Sequence, residues 1–181
     1  MVEQVPLLGT MATAAAMRHE IVRTRHLLRQ GGLLFLSYFG HSIRTGPAST
    51  DVSWCLQDAQ VPVAGLGRLL SRLGAGTRVV VVVDSCYASA LGGCLPARGD
   101  WVLVASCAAY QTTMNLPSSE FLTKLESVTF PEGRRDRRCA SYERLEQRLQ
   151  EGTAAAERPR IMAGTPAGLR RLPLSVTAVS R

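Results

Sequence analysis

The sequence predicts an α/β protein built on a mostly parallel sheet with helices on both faces, and three observations carry that prediction. Leu33 to Tyr38, Val79 to Val83 and Trp101 to Ala105 are short apolar runs with the length and composition of buried strands. Segments of helical periodicity lie between them, as the crossovers joining parallel strands require. The composition, 46% apolar and 19% charged over 181 residues, supports a sizeable core rather than a disordered chain.

Each element has its own justification. From Ala12 to Leu28, Met17, Ile21 and Leu28 recur on one helical face, with Arg18, Arg23 and Arg25 elsewhere. Gly31-Gly32 then opens the first apolar run. Thr45 to Pro62 is polar, punctuated by Gly46-Pro47, and reads as loop. Leu66, Leu69, Leu70 and Leu73 have the spacing of an amphipathic helix, which Gly74 and Gly76 end before the five valines. Ala88 to Leu91 reads as a helix start, followed by a Gly/Pro-rich turn through Gly99 and the third strand. Glu120 to Val128 and Tyr142 to Leu149 read as helices, the latter with Tyr142, Leu145 and Leu149 on one face. Arg160 to Ala163 and Leu172 to Val176 are candidate late strands. Gly133 to Arg138 is a charged break in the pattern.

In parallel sheets, sites form outside the carboxyl ends of the strands. Two reactive side chains fall there: His41 beyond the first strand and Cys86, 45 residues later, beyond the second. A catalytic thiol needs a base to populate the thiolate and donors to hold an oxyanion. His41 supplies the base or general acid, Cys86 the nucleophile and one backbone donor. A backbone N–H beside His41 supplies the other donor. The plain alternative is a loop histidine and a buried thiol.

These residues resemble a family. Leu33 to Ser42, ending Gly40-His41-Ser42, is similar to the strand ending in Ser-Gly-His-Gly of caspase-like cysteine peptidases, particularly metacaspases and their bacterial relatives. Val79 to Ser89 resembles the valine-rich strand ending in Asp-x-Cys-His-Ser-Gly of the same group. Trp54 to Asp58, Ala105-Ser106-Cys107 with Gln111, and Phe121 to Leu125 extend the likeness over Leu7 to Leu125. The resemblance implies a caspase-like three-layer sandwich and an endopeptidase working through a Cys86–His41 dyad, without a cofactor. It makes the Ser42 and Cys86 N–H groups the oxyanion donors, and a protein or peptide the substrate.

Several positions depart from the family pattern. Ser42 stands where glycine is usual, and Tyr87-Ala88-Ser89 replaces His-Ser-Gly. In basic-specific members a serine two before the histidine and an aspartate two before the cysteine line the primary specificity pocket. Here those positions hold Phe39 and Asp84. Asp84 accordingly reads either as a pocket residue for arginine or lysine or as a strand-end acceptor of backbone hydrogen bonds. Family domains also carry a further strand and helix before the first helix read here. That leaves a trimmed chain, a compact form, or a strand supplied by a protein partner or activator.

The resemblance divides the single peptidase domain (1–181) into a dyad-bearing part (1–130) and a smaller part (139–181). The charged loop 131–138 between them, with Arg134, Arg135, Arg137 and Arg138, is either a processing site or a solvated turn. A catalytically impaired module that binds a protein partner is the alternative function.

Other classes fit the composition less well. The net charge is +7, and Pro131 to Arg181 holds eleven arginines against six acids. Nonetheless no aromatic–basic interleaving or helix-turn-helix signature accompanies it, which argues against nucleic acid. Five irregularly spaced cysteines without a CxxC pair, and three histidines, argue against zinc and against a disulfide framework. Asp100 is the only acid between Cys86 and Tyr110, too few for a calcium site there. No apolar run approaches a membrane span, and Met1 to Thr13 lacks a signal-peptide pattern, so the expected location is cytoplasmic.

Overall fold

The computed structural model describes residues 3–74, 76–113, 120–129, 141–153 and 158–170. Among these residues, seven strands form two sheets. The central sheet orders β1 (Gly32–Phe39), β5 (Thr77–Asp84), β6 (Trp101–Ala105) and β7 (Arg160–Ala163) side by side. β1, β5 and β6 run parallel, and β7 is antiparallel to β6. The fold is therefore mixed α/β with a mostly parallel central sheet, compatible with a three-layer sandwich.

The residues read as buried strands form the middle of this sheet. Val80, Val81 and Val83 in β5 and Val102, Leu103 and Val104 in β6 are almost wholly buried. Their side chains alternate between two cores, one on each face. On one face, Val79, Val81, Val83 and Leu103 pack with Met17 and Ile21 of α1 (Ala14–Leu27) and Val63, Leu66 and Leu70 of α2 (Val63–Leu70). On the other, Val80, Val82, Val102 and Val104 pack with Val128 of α3 (Glu120–Thr129) and with Tyr142, Leu145 and Leu149 of α4 (Tyr142–Gln150). The three α4 residues are those predicted from periodicity, and Ser141 caps the helix by accepting from the Arg144 N–H at 3.2 Å. A one-turn helix, α5 (Pro166–Leu169), follows β7.

Four expectations are corrected. Thr45 to Pro62 is not all loop: β3 (Val52–Cys55) and β4 (Gln60–Pro62) lie within it and, with β2 (Ser42–Arg44) just before it, form a second, antiparallel sheet. Strands of three or four residues with Ser53 and Gln60 among them lack a period long enough to read. The leucine helix begins at Val63 and stops at Leu70, because Arg72 and Leu73 turn back with i→i+3 bonds to Leu69 and Leu70. After Cys86 the chain forms a 3-10 helix, Ala88–Cys94, rather than an α-helix. It contains Gly92-Gly93 just before its end at Cys94, and their permissive backbone does not favour α-helix.

The fourth correction concerns the covering of the sheet. Among the described residues, both faces are covered over β5 to β7, but only one over β1. Leu34, Leu36 and Tyr38 pack on the α1–α2 core, whereas Leu33, Phe35 and Phe39 on the opposite side are 43%, 50% and 53% exposed. β1 is also the sheet edge among the described residues. The candidate strand Leu172 to Val176 and the charged loop with Arg134, Arg135, Arg137 and Arg138 lie outside the described residues.

Candidate active site

Parallel pairing brings the two candidate strand ends together. Phe39 is the register partner of Asp84, and the Gly40 N–H continues the ladder by donating to the Asp84 carbonyl at 3.2 Å. Two residues beyond Gly40, the Ser42 hydroxyl donates to the Ser85 hydroxyl at 2.9 Å. The segments holding His41 and Cys86 are thus joined on both sides of His41. The His41 side is exposed and Cys86 is half-buried. No hydrogen bond links the His41 ring to the Cys86 thiol. The thiol instead lies 3.5 Å from the Thr113 carbonyl, to which it donates.

The Cys86 segment is anchored by its neighbours. Ser85 is fully buried, accepts from Ser42 and donates to the Cys86 carbonyl at 3.1 Å. Its N–H donates to the Ser106 hydroxyl at 3.3 Å, which in turn donates to the Ser85 carbonyl at 3.3 Å. The Cys107 thiol reaches that carbonyl at 3.4 Å and the Gln111 carbonyl at 3.3 Å. Burial pushes the Cys107 thiol above its ordinary range, so it remains a protonated structural group.

Immediately after Cys86, Tyr87 adopts φ +56°, the only left-handed non-glycine residue among those described. Such a residue costs about 1–2 kcal/mol. Here it is held by its N–H bond to the Gln111 carbonyl at 2.7 Å and by the Ala90 N–H donating to its carbonyl at 2.9 Å. The turn stops β5 abruptly and leaves Cys86 at the strand tip.

His41 is placed by the small sheet. Its carbonyl accepts from the Cys55 N–H at 2.8 Å, and four residues on the Thr45 N–H donates to the Asp51 carbonyl at 2.8 Å. With Ile43 opposite Ser53, these bonds make 41, 43 and 45 the positions bonded to β3. Ser42 is therefore a non-bonded position whose N–H points away from β3. That orientation suits an oxyanion donor, the role expected of Ser42. Cys86 contributes the second candidate N–H from the neighbouring strand end.

Phe39 and Asp84, as register partners in adjacent parallel strands, project to the same face. Asp84 is only 2% exposed, whereas Phe39 stands out beside it at 53%. An aspartate buried next to an exposed phenyl ring is the arrangement at the expected primary specificity position.

Sequence reading missed three participants. Ser85 and Ser106 carried no recognisable signal, being single serines 21 residues apart. Tyr38 looked like one more apolar strand residue. Its hydroxyl donates to the His41 carbonyl at 2.6 Å and contacts the Cys55 carbonyl at 3.2 Å, while its ring stacks on Trp54 at 4.1 Å.

Among the described residues, no group of three or more His, Cys, Asp or Glu side chains could hold a metal ion, and no helix is long and apolar enough to cross a membrane. No family model matches the sequence, and no curated protein matches it. Among solved structures, the chain is similar to protein GSU0716 of Geobacter sulfurreducens, with a TM-score of 0.73 and 21% identity. The match covers 90% of this chain and 78% of that one. At that identity the likeness shows the fold alone: a mixed α/β architecture around a mostly parallel sheet.

Proposed function

We propose that this protein is a caspase-like cysteine endopeptidase in which Cys86 is the nucleophile and His41 the acid–base partner. The observation that carries the reading is the junction of the two strand ends, made by the Gly40–Asp84 and Ser42–Ser85 hydrogen bonds. In the proposed reaction, His41 takes the Cys86 thiol proton and the sulfur attacks the scissile carbonyl. Negative charge develops on the carbonyl oxygen, within reach of the Ser42 and Cys86 N–H groups. The tetrahedral intermediate collapses as the C–N bond breaks and His41 returns the proton to the leaving amine. His41 then takes a proton from water, whose oxygen attacks the thioester, and the carboxylate product leaves as Cys86 regains a proton. No cofactor takes part.

A peptidyl electrophile should label Cys86, and a peptide library should show cleavage that Cys86→Ala abolishes. Absence of any Cys86-dependent cleavage from a broad library would reject the reading. A second reading is favoured by β1. Its edge, unpaired among the described residues, and the exposed Leu33, Phe35 and Phe39 suit a module that receives a strand from a protein partner. Stable copurification with such a partner, without turnover, would select it.

A further inference from the structure

We propose that Tyr38 is a positioning residue that fixes the oxyanion donor by clamping the carbonyl of the His41–Ser42 peptide unit; this rests on the peptidase reading above. The carbonyl of His41 and the N–H of Ser42 belong to one peptide group, and no peptide bond among the described residues is cis. In a trans peptide these two groups point in opposite directions. Whatever holds the carbonyl therefore aims the N–H.

Two donors hold it. The Cys55 N–H approaches from β3 at 2.8 Å and the Tyr38 hydroxyl from β1 at 2.6 Å. The Tyr38 ring is itself fixed, stacked on Trp54 with 3° between the planes. Trp54 is the register partner of Ser42, so the clamp and the clamped peptide rest on the same strand pair. A carbonyl accepting two hydrogen bonds also polarises its peptide, which makes the Ser42 N–H a stronger donor.

Gly40 provides an independent observation. A Cβ at this position would lie 2.9 Å from the Tyr38 hydroxyl and 3.0 Å from the ring carbon bearing it. The glycine thus clears the space through which the phenol reaches the His41 carbonyl. Its backbone does not need a left-handed conformation, so alanine tests the space alone.

The test uses the full chain and two variants, Tyr38→Phe and Gly40→Ala. Three readouts are compared on folded protein: turnover of a cleaved library peptide, inhibition by the corresponding peptidyl aldehyde, and alkylation of Cys86 by iodoacetamide. The aldehyde forms a hemithioacetal whose oxygen uses the oxyanion donor, whereas alkylation by iodoacetamide does not. Both variants should lower kcat by about 10- to 100-fold, short of the roughly 100- to 1000-fold typical of losing a donor outright. KM should stay within about twofold, because the loss falls on the transition state. Aldehyde inhibition should weaken in parallel while the alkylation rate holds. Wild-type kcat in both variants overturns the proposal and leaves the peptidase reading intact. So does an alkylation rate that falls with kcat, since it places the damage at the thiol. Wild-type protein without Cys86-dependent turnover removes both.

Discussion

The Ser42 hydroxyl donates to the Ser85 hydroxyl across 2.9 Å, tying the strand end that carries His41 to the one that carries Cys86. Ser85 passes the connection on by donating to the Cys86 carbonyl at 3.1 Å. Both serines are buried, so the hydroxyls have little access to water in exchange. Ser85→Ala leaves the Ser42 hydroxyl without its acceptor, which should cost about 1–3 kcal/mol. In the peptidase reading it should also lower kcat/KM about tenfold or more, because small misplacements of reacting groups are costly. Urea denaturation and peptide turnover check the two effects. An unchanged denaturation midpoint would mean that this bond does not hold the strand ends together.

Phe39 and Asp84 give a prediction about specificity. Under the proposed function, Phe39→Ser should open access to the buried carboxylate and raise cleavage after arginine and lysine. Adding Asp84→Asn should then remove that gain by about 30-fold or more, since losing one partner of a buried charge pair costs at least about 2 kcal/mol. A library profile for the single and double variants reads this directly. A basic preference that survives Asp84→Asn would assign Asp84 a structural role at the strand end.

The sequence disclosed those parts of the fold in which one force dominates. Five valines can hardly be anything but a buried strand, and Tyr142, Leu145 and Leu149 repeat with the helical period. The ends of the valine run and of Leu33 to Tyr38 placed Cys86 and His41 just beyond two strands, which the β1–β5 pairing makes neighbours. The small sheet stayed hidden because Ser42–Arg44 and Gln60–Pro62 are three residues each, too short for alternation to register. The serine links stayed hidden for another reason: Ser42, Ser85 and Ser106 meet only after strand pairing. Tyr87 gave no sign of its left-handed backbone, since glycine is the usual occupant of that conformation. The same applies to Tyr38, whose apolar ring fitted the strand pattern while its hydroxyl served the loop.

Stability should fall on the alkaline side. Burial pushes the Cys107 and Cys94 thiols above their ordinary 9.0, and it pushes Tyr38 from 10.0 up to about 12. The unfolded chain releases these protons at the ordinary values, while the folded chain retains them. These groups therefore leave stability constant below pH 9.0 and reduce it as the pH rises through the interval between unfolded and folded values. Thermal melts from about pH 8 to about pH 10.5 should show the decline. It should be shallower in Cys107→Ala from about pH 9 and in Tyr38→Phe from about pH 10. Identical slopes in wild type and variants would refute the assignment.

The β1 edge yields a prediction that depends on the two-residue period of a strand. Gly32–Phe39 contains no charge and no proline, the devices by which edge strands usually resist pairing with other chains. Leu33, Phe35 and Phe39 lie on its exposed face, whereas Leu34, Leu36 and Tyr38 pack on the core. Wild-type protein should therefore show concentration-dependent light scattering. Phe35→Lys should suppress it while changing stability by no more than about 0.5 kcal/mol, as for an ordinary surface position. Leu36→Lys, one residue along, directs the same charge into the core and should cost about 2–3 kcal/mol. Comparing scattering with denaturation midpoints separates the two faces. If Phe35→Lys destabilises as much as Leu36→Lys, something covers that face in solution, and the edge is not the open surface its side chains describe.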